Sequence, residues 1–197
     1  MFADYRFGGG APASILSDTA CLAVSLGGLS KAIGLPQVKL AWMALGGPAA
    51  EVASLGEGLE LAADTFLSVS TPVQVALPAL LDRGCTIREQ IQARLADNLA
   101  TLRRHLAATP ALQLLEPAGG WTAVLRVPAT RSEEAIVLDL LERHHVVVQP
   151  GYFYDFPSEA WLVVSLLVEP TVFARGVARI VAAVSGESDK MADGQHS

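Results

Sequence analysis

The sequence predicts an α/β protein. Short apolar runs bounded by glycine pairs read as strands, and between them lie longer segments with apolar residues every three or four positions, which read as helices. The chain has 197 residues, of which 51% are hydrophobic, enough to bury a sizeable core. Residues 22–26 and 39–45 are continuous apolar runs closed by Gly27-Gly28 and Gly46-Gly47, the pattern of strands buried on both faces. Helical spacing follows over 48–61, opened by Pro48, whose fixed φ suits a first turn. Residues 66–81 carry a Thr71-Pro72 turn and then a further helix start. Over 86–108, Ile87, Ile91, Leu95, Leu99, Leu102 and Leu106 recur at threes and fours and predict a long amphipathic helix. Strands are expected at 112–115, 122–127, 146–148 and 162–167. A helix is expected over 132–144 with Ser132 as its cap, where Glu133-Glu134 complement the helix dipole, and another over 170–184. The polar segment 186–197 is expected to be disordered.

Charge and composition remove several functions. The formal net charge is −6, with the basic residues scattered, so no nucleic-acid partner is expected. No apolar stretch approaches the roughly 20 residues of a membrane span, so the mean hydropathy of +0.39 points instead to surface covered by a partner subunit or a further domain. Cys21 and Cys85 make neither a metal pair nor a disulfide framework, and no secretory leader is apparent, which together suggest the cytoplasm. His144 and His145 adjoin and cannot form an i, i+4 ligand pair, so no metal is expected.

The chemistry concentrates on lysine. The chain has three, and Lys31 and Lys39 stand eight apart in Ser25-Leu-Gly-Gly-Leu-Ser-Lys31-Ala-Ile-Gly-Leu-Pro-Gln-Val-Lys39. A lysine following a serine is commonly a solvated surface charge. Here an apolar run and a Gly-Gly turn present it, and a desolvated amine loses part of its preference for the charged form and becomes a nucleophile toward aldehydes. The order Ser-Lys excludes a Walker phosphate loop, which needs Gly-Lys-Ser/Thr.

This stretch resembles the cofactor-lysine segment of class I/II aminotransferases, the pyridoxal-phosphate enzymes of the aspartate aminotransferase fold. The resemblance extends over about residues 1 to 185. Phe66-Leu-Ser-Val-Ser-Thr-Pro-Val-Gln74 is similar to the family's interface-crossing segment, and Gly119-Gly120-Trp121 to its pocket-lining turn. Val148-Gln-Pro-Gly-Tyr-Phe-Tyr-Asp-Phe156 resembles its Pro-Gly strand end and aromatic loop, and Leu162-Val-Val-Ser-Leu-Leu167 its last strand.

The resemblance implies the C-terminal part of a PLP-dependent transferase fold. Residues 1–80 would be the remainder of the large cofactor-binding domain, a partial sheet, and 81–185 an α+β small domain. Lys31 would form a Schiff base with pyridoxal 5'-phosphate and act as general base, while Ser30 and Lys39 bind the phosphate. Lys39 replaces the usual arginine, a point charge in place of a planar fork. Gly28 replaces a serine. Gly120, Trp121 and Val163 would line the substrate pocket, with Val163 standing where an arginine usually clamps the substrate carboxylate. Arg126 reads as a solvated strand-end residue. Phe2 stands where a tyrosine usually meets the cofactor, and the aspartate that pairs with the pyridine nitrogen has no counterpart, so the chain is expected to be the C-terminal half of such an enzyme. The implied activity is transfer of an amino group between an amino acid or amine and a 2-oxo acid by a homodimer. A non-catalytic remnant, or a lyase or decarboxylase of the same fold, are the alternatives.

Overall fold

The computed structural model describes residues 2–8, 10, 14–66 and 68–185, and the segment 186–197 read as a disordered tail lies outside them. The chain divides into two compact units, Met1–Gln90 and Ile91–Ser197.

In the first unit β1 (Ala23–Gly28) pairs antiparallel with β2 (Ala41–Gly46), from Ala23 opposite Gly46 to Gly28 opposite Ala41. A single helical turn, α1 (Leu29–Ala32), and a 3-10 turn (Pro36–Val38) connect them. Helix α2 (Ala49–Phe66) follows, the Pro48 carbonyl accepting from the Val52 amide at 3.0 Å. Leu29, Ile33 and Leu40 form a buried cluster against Val69, Val73, Leu77 and Leu80. Gly84 lets the chain close on it, because a Cβ there would overlap the Ile33 side chain.

Within this chain the two apolar strands are not buried on both faces, which is what a partial sheet lacking its covering layers predicts. Among the described residues the sheet has two strands, and Val24, Leu26, Trp42 and Met43 are exposed. A two-stranded ribbon has too little covering structure to bury both faces, whatever its apolar content.

A correction concerns the helices. The helix start near 71 and the amphipathic helix over 86–108 are one element, α3 (Thr71–Ala107), with Pro78 inside it. Proline removes a backbone donor and costs about 3 kcal/mol in a helix interior. Leu77 and Leu80 flank it and pack against the Leu29 cluster, so the burial that continuity secures offsets the loss.

The second unit holds a four-stranded antiparallel sheet in the order β3-β4-β6-β5, from β3 (Gln113–Leu115), β4 (Thr122–Arg126), β5 (Gln149–Pro150) and β6 (Trp161–Ser165). Cross-strand pairs Ala123 with Val164 and Leu125 with Leu162 put four buried residues on one face. The run 146–148, expected as a strand, lies outside the ladder, which begins at Gln149. Helix α4 (Glu133–Glu142) starts where Ser132 predicts: its hydroxyl accepts from the Ala135 amide at 3.2 Å. Helix α5 (Pro170–Ser185) is capped by Glu169, whose carboxylate accepts from the amides of Thr171 and Val172. Leu95, Leu99, Leu102, Leu140, Phe173, Val177 and Ile180 complete the core, and Asn98, fully buried, donates to the carbonyls of Leu166 and Val168 at 2.8 and 2.7 Å.

Candidate active site

The lysine segment takes its geometry from the end of β1. Gly28 is extended, and the Leu29 amide donates to the Leu40 carbonyl at 3.0 Å, which ties the turn to the strand's return. Leu29 and Ile33, four residues apart, are 0 and 1% exposed and anchor one side of the turn. Ser30 and Lys31 occupy the intervening directions and are half-buried. The Tyr5 hydroxyl donates to the Ala32 carbonyl at 3.3 Å. The Lys31 ammonium stands 6.0 Å from the centre of the Phe2 ring, the outer limit of a cation–π contact. Opposite Trp42, Gly27 leaves room for the indole, which a side chain at 27 would overlap.

Lys39, read as the first residue of a strand, instead adopts the left-handed conformation (φ 53°, ψ 43°) before β2 begins at Ala41, and it is exposed. Such a conformation is uncommon for a residue with a side chain and marks a locally constrained turn. From residue 19 to residue 50 the only charged side chains are Lys31 and Lys39, in a chain whose net charge is −6. The first unit therefore brings Ser30 and Lys31 together on one turn and places Lys39 at the return into the paired strand.

The remaining expected site residues belong to the second unit. Gly120 is buried with φ 103°, a conformation that favours glycine, and directs the chain into Trp121. Trp121 is half-buried, and its carbonyl accepts from the Leu166 amide at 2.8 Å. Val163 is 4% exposed in the middle of β6, between Val124 and Gln149 on the neighbouring strands. Strand alternation places it on the face opposite Leu162 and Val164, with Trp161. Arg126 is exposed at the end of β4, its guanidinium 5.6 Å above the Trp161 ring.

Two structural contributors escaped the sequence reading. Tyr5 is 1% exposed and braces the lysine turn; it lies in a short stretch with no periodicity to mark it. Burial pushes its phenol above the ordinary tyrosine value, reinforced by Asp4 and opposed by Arg88. Glu133, expected as a dipole-complementing residue at a helix start, is 1% exposed, and its carboxylate accepts from the amides of Tyr152 and Trp161.

Comparisons with known proteins bear on the family and the fold. The sequence profile described as aminotransferase class I and II matches residues 1–180. An alanine aminotransferase of Mycobacterium tuberculosis is 29% identical over 152 residues, covering 74% of this chain and 35% of that protein. The glutamate-pyruvate aminotransferase AlaA of Haemophilus influenzae is 28% identical over 143 residues, 70% of this chain and 35% of that one. The chain thus spans about a third of the length of these curated relatives. An aminotransferase crystal structure from Escherichia coli superposes with a TM-score of 0.83 at 22% identity, covering 94% of this chain and 48% of that one, so the α/β fold is part of the aminotransferase fold. On the profile match across nearly all of its length, this chain belongs to the class I and II aminotransferase family.

Proposed function

We propose that the chain is the lysine-bearing portion of a pyridoxal-phosphate-dependent aminotransferase that moves an amino group between an amino acid or amine and a 2-oxo acid. The observation that carries this reading is the one-turn helix after β1, which offers a half-buried amine, Lys31, and an adjacent hydroxyl, Ser30. The donor set fits the cofactor. Two ammonium groups and a hydroxyl suit an aldehyde and a phosphate, and the segment 19–50 itself contains no carboxylate. Lys31 would hold the cofactor through its amine and carry a proton on Nζ; Ser30 and Lys39 would hold the phosphate. The cofactor, once bound, supplies a ring that takes up the electron pair left when a bond to the substrate's amine carbon breaks. Lys39 binds phosphate as a point charge, so its hold is less directional than an arginine fork.

Gly120, Trp121 and Val163 are proposed to line the substrate pocket, together with the aromatic loop after Pro150. Val163 cannot pair with a carboxylate, which favours a second reading, a lyase or decarboxylase of the same fold. The relatives' names make alanine, glutamate and pyruvate the first compounds to test. The free thiols Cys21 and Cys85 suit the proposed cytoplasmic location. The apolar side chains exposed on β1 and β2 suit the proposed homodimer. Among the described residues, no helix is long and apolar enough to cross a membrane.

Borohydride reduction in the presence of pyridoxal phosphate, followed by peptide mapping, tests the assignment. Labelling at Lys31 is expected; labelling centred on Lys39 or Lys190 overturns it. Product analysis separates the two readings, since a transaminase yields a 2-oxo acid from the donor and a decarboxylase yields an amine and carbon dioxide.

A further inference from the structure

The buried carboxylate of Glu133 does something that its place in the sequence does not suggest. One oxygen accepts from the Tyr152 amide at 2.9 Å and the other from the Trp161 amide at 2.7 Å, so a single side chain closes both ends of the loop between them. Gly151 makes this possible. A Cβ there would stand 2.6 Å from the Trp161 Cβ, closer than that atom tolerates, and 3.0 Å from Glu133 Oε1, which would have to give way.

Inside the closed loop the chain is fixed at several further points. Phe156 stacks on Trp161 with ring centres 5.2 Å apart, and the Trp161 indole N–H donates to the Ser158 hydroxyl at 3.2 Å. The Ala160 carbonyl accepts from the Val127 amide at 2.9 Å. Asp155 and Ala160 hold left-handed conformations, φ 56° and 81°, that residues with side chains rarely adopt and that persist only where the surroundings impose them. The loop's first half presents three consecutive aromatics outward, Tyr152, Phe153 and Tyr154 at 50, 65 and 49% exposure, followed by exposed Asp155, Pro157, Ser158 and Glu159.

The partners of the Glu133 carboxylate are backbone amides and not a cation, and it sits in the first turn of α4, where the helix dipole favours negative charge. Burying a carboxylate is costly, and apolar side chains of similar size commonly stabilise a core as well or better. A two-pronged acceptor is needed only if both loop ends must be held in one place. We propose that Glu133 is a positioning residue: it latches the 151–160 loop so that Tyr152, Phe153 and Tyr154 stand as a preformed aromatic wall for the substrate. The substrate part of this inference rests on the aminotransferase reading.

Glu133→Gln and Glu133→Asp test the latch on the full chain. Glutamine keeps the shape but offers one acceptor oxygen and turns an NH2 toward an amide donor. Aspartate keeps the charge but is one methylene short of spanning both amides. Amide hydrogen exchange at Tyr152 and Trp161 should quicken about tenfold or more in both variants, as expected when a charge-assisted hydrogen bond is lost. The amides of β4 serve as the internal control and should change less than about twofold. With turnover measured in the presence of pyridoxal phosphate, KM for the amino donor should rise about fivefold or more and kcat should hold within about twofold, the pattern of lost binding common to ground and transition states.

Unchanged exchange at both amides in both variants overturns the latch. Faster exchange with an unchanged KM overturns the wall. Failure of the wild-type chain to label at Lys31 overturns the aminotransferase reading and the wall with it, while the exchange result still decides the latch.

Discussion

In the second unit the facing strand residues Ala123, Leu125, Leu162 and Val164 are 0, 1, 0 and 5% exposed, whereas in the first unit Val24, Leu26 and Met43 are 40, 55 and 53% exposed. The strands have similar apolar composition. The second unit has a four-stranded sheet and a core shared with three helices, and the first has a ribbon of two strands among its described residues. Apolar content marks a strand as fit for burial; the number of covering layers decides whether burial occurs. The candidate residues divide as well: both cofactor lysines lie in the first unit, and Gly120, Trp121 and Val163 lie in the second.

The largest expected effect sharpens that division. Lys31→Ala should remove cofactor labelling and reduce transamination by about 10^2- to 10^4-fold, the range of a lost acid–base group. Lys39→Arg should retain labelling at Lys31 and tighten cofactor binding. Equal labelling of Lys31→Ala and wild type would break the assignment.

Next in size is packing. Leu102→Ala, at 0% exposure, should cost about 2–5 kcal/mol in urea unfolding, whereas Leu26→Ala should stay within about 0.5 kcal/mol. Comparable losses would mean that Leu26 is buried in solution, for instance against a second copy. Sedimentation across a concentration series then identifies the copy, and Leu26→Glu with Met43→Lys should shift the chain toward monomer.

Asn98→Leu should destabilise the second unit by about 1–3 kcal/mol, because the buried carbonyl of Leu166 and the partly buried one of Val168 lose their donor while the side-chain volume stays similar. A neutral result would mean that water replaces the amide.

The smallest effects lie in the pH dependence, and the two units should differ in sign. The Tyr5 phenol is held above its ordinary value by burial, so the folded state binds its proton more tightly. Its contribution is complete below about pH 10 and is lost as pH rises through the raised value. Glu169 is held below the ordinary carboxylate range, first by the Thr171 hydroxyl and then by the amides of Thr171 and Val172. Its contribution is present above about pH 4.3 and is lost as pH falls through the lowered value. Thermal unfolding of Tyr5→Phe against pH should lack the alkaline decline, and Glu169→Gln should lack part of the acid one.

Local rules were sufficient for much of this molecule. Ser132 is a cap because a hydroxyl one residue before the first helical turn can reach the third amide within it, and that bond forms with Ala135. The glycine-bounded runs around residues 23–28 and 41–46 and the leucine period through 95–106 likewise encode their own element type, as does the Ser30-Lys31 turn its place after a strand. Spacing along the chain could not show that α3 continues through Pro78, because that depends on what Leu77 and Leu80 meet. Nor could it show that Lys39 sits in a left-handed turn or that 146–148 leaves the ladder. Glu133 is the clearest case: a glutamate at a helix start satisfies a local rule, but its amide partners lie 19 and 28 residues away. Periodicity and capping act over one or two turns of chain, so the sequence by itself determined the type of most elements and offered the candidate lysine. Burial and hydrogen bonds between distant residues depend on packing, so only the tertiary structure decided which faces are covered and which side chain holds the aromatic loop.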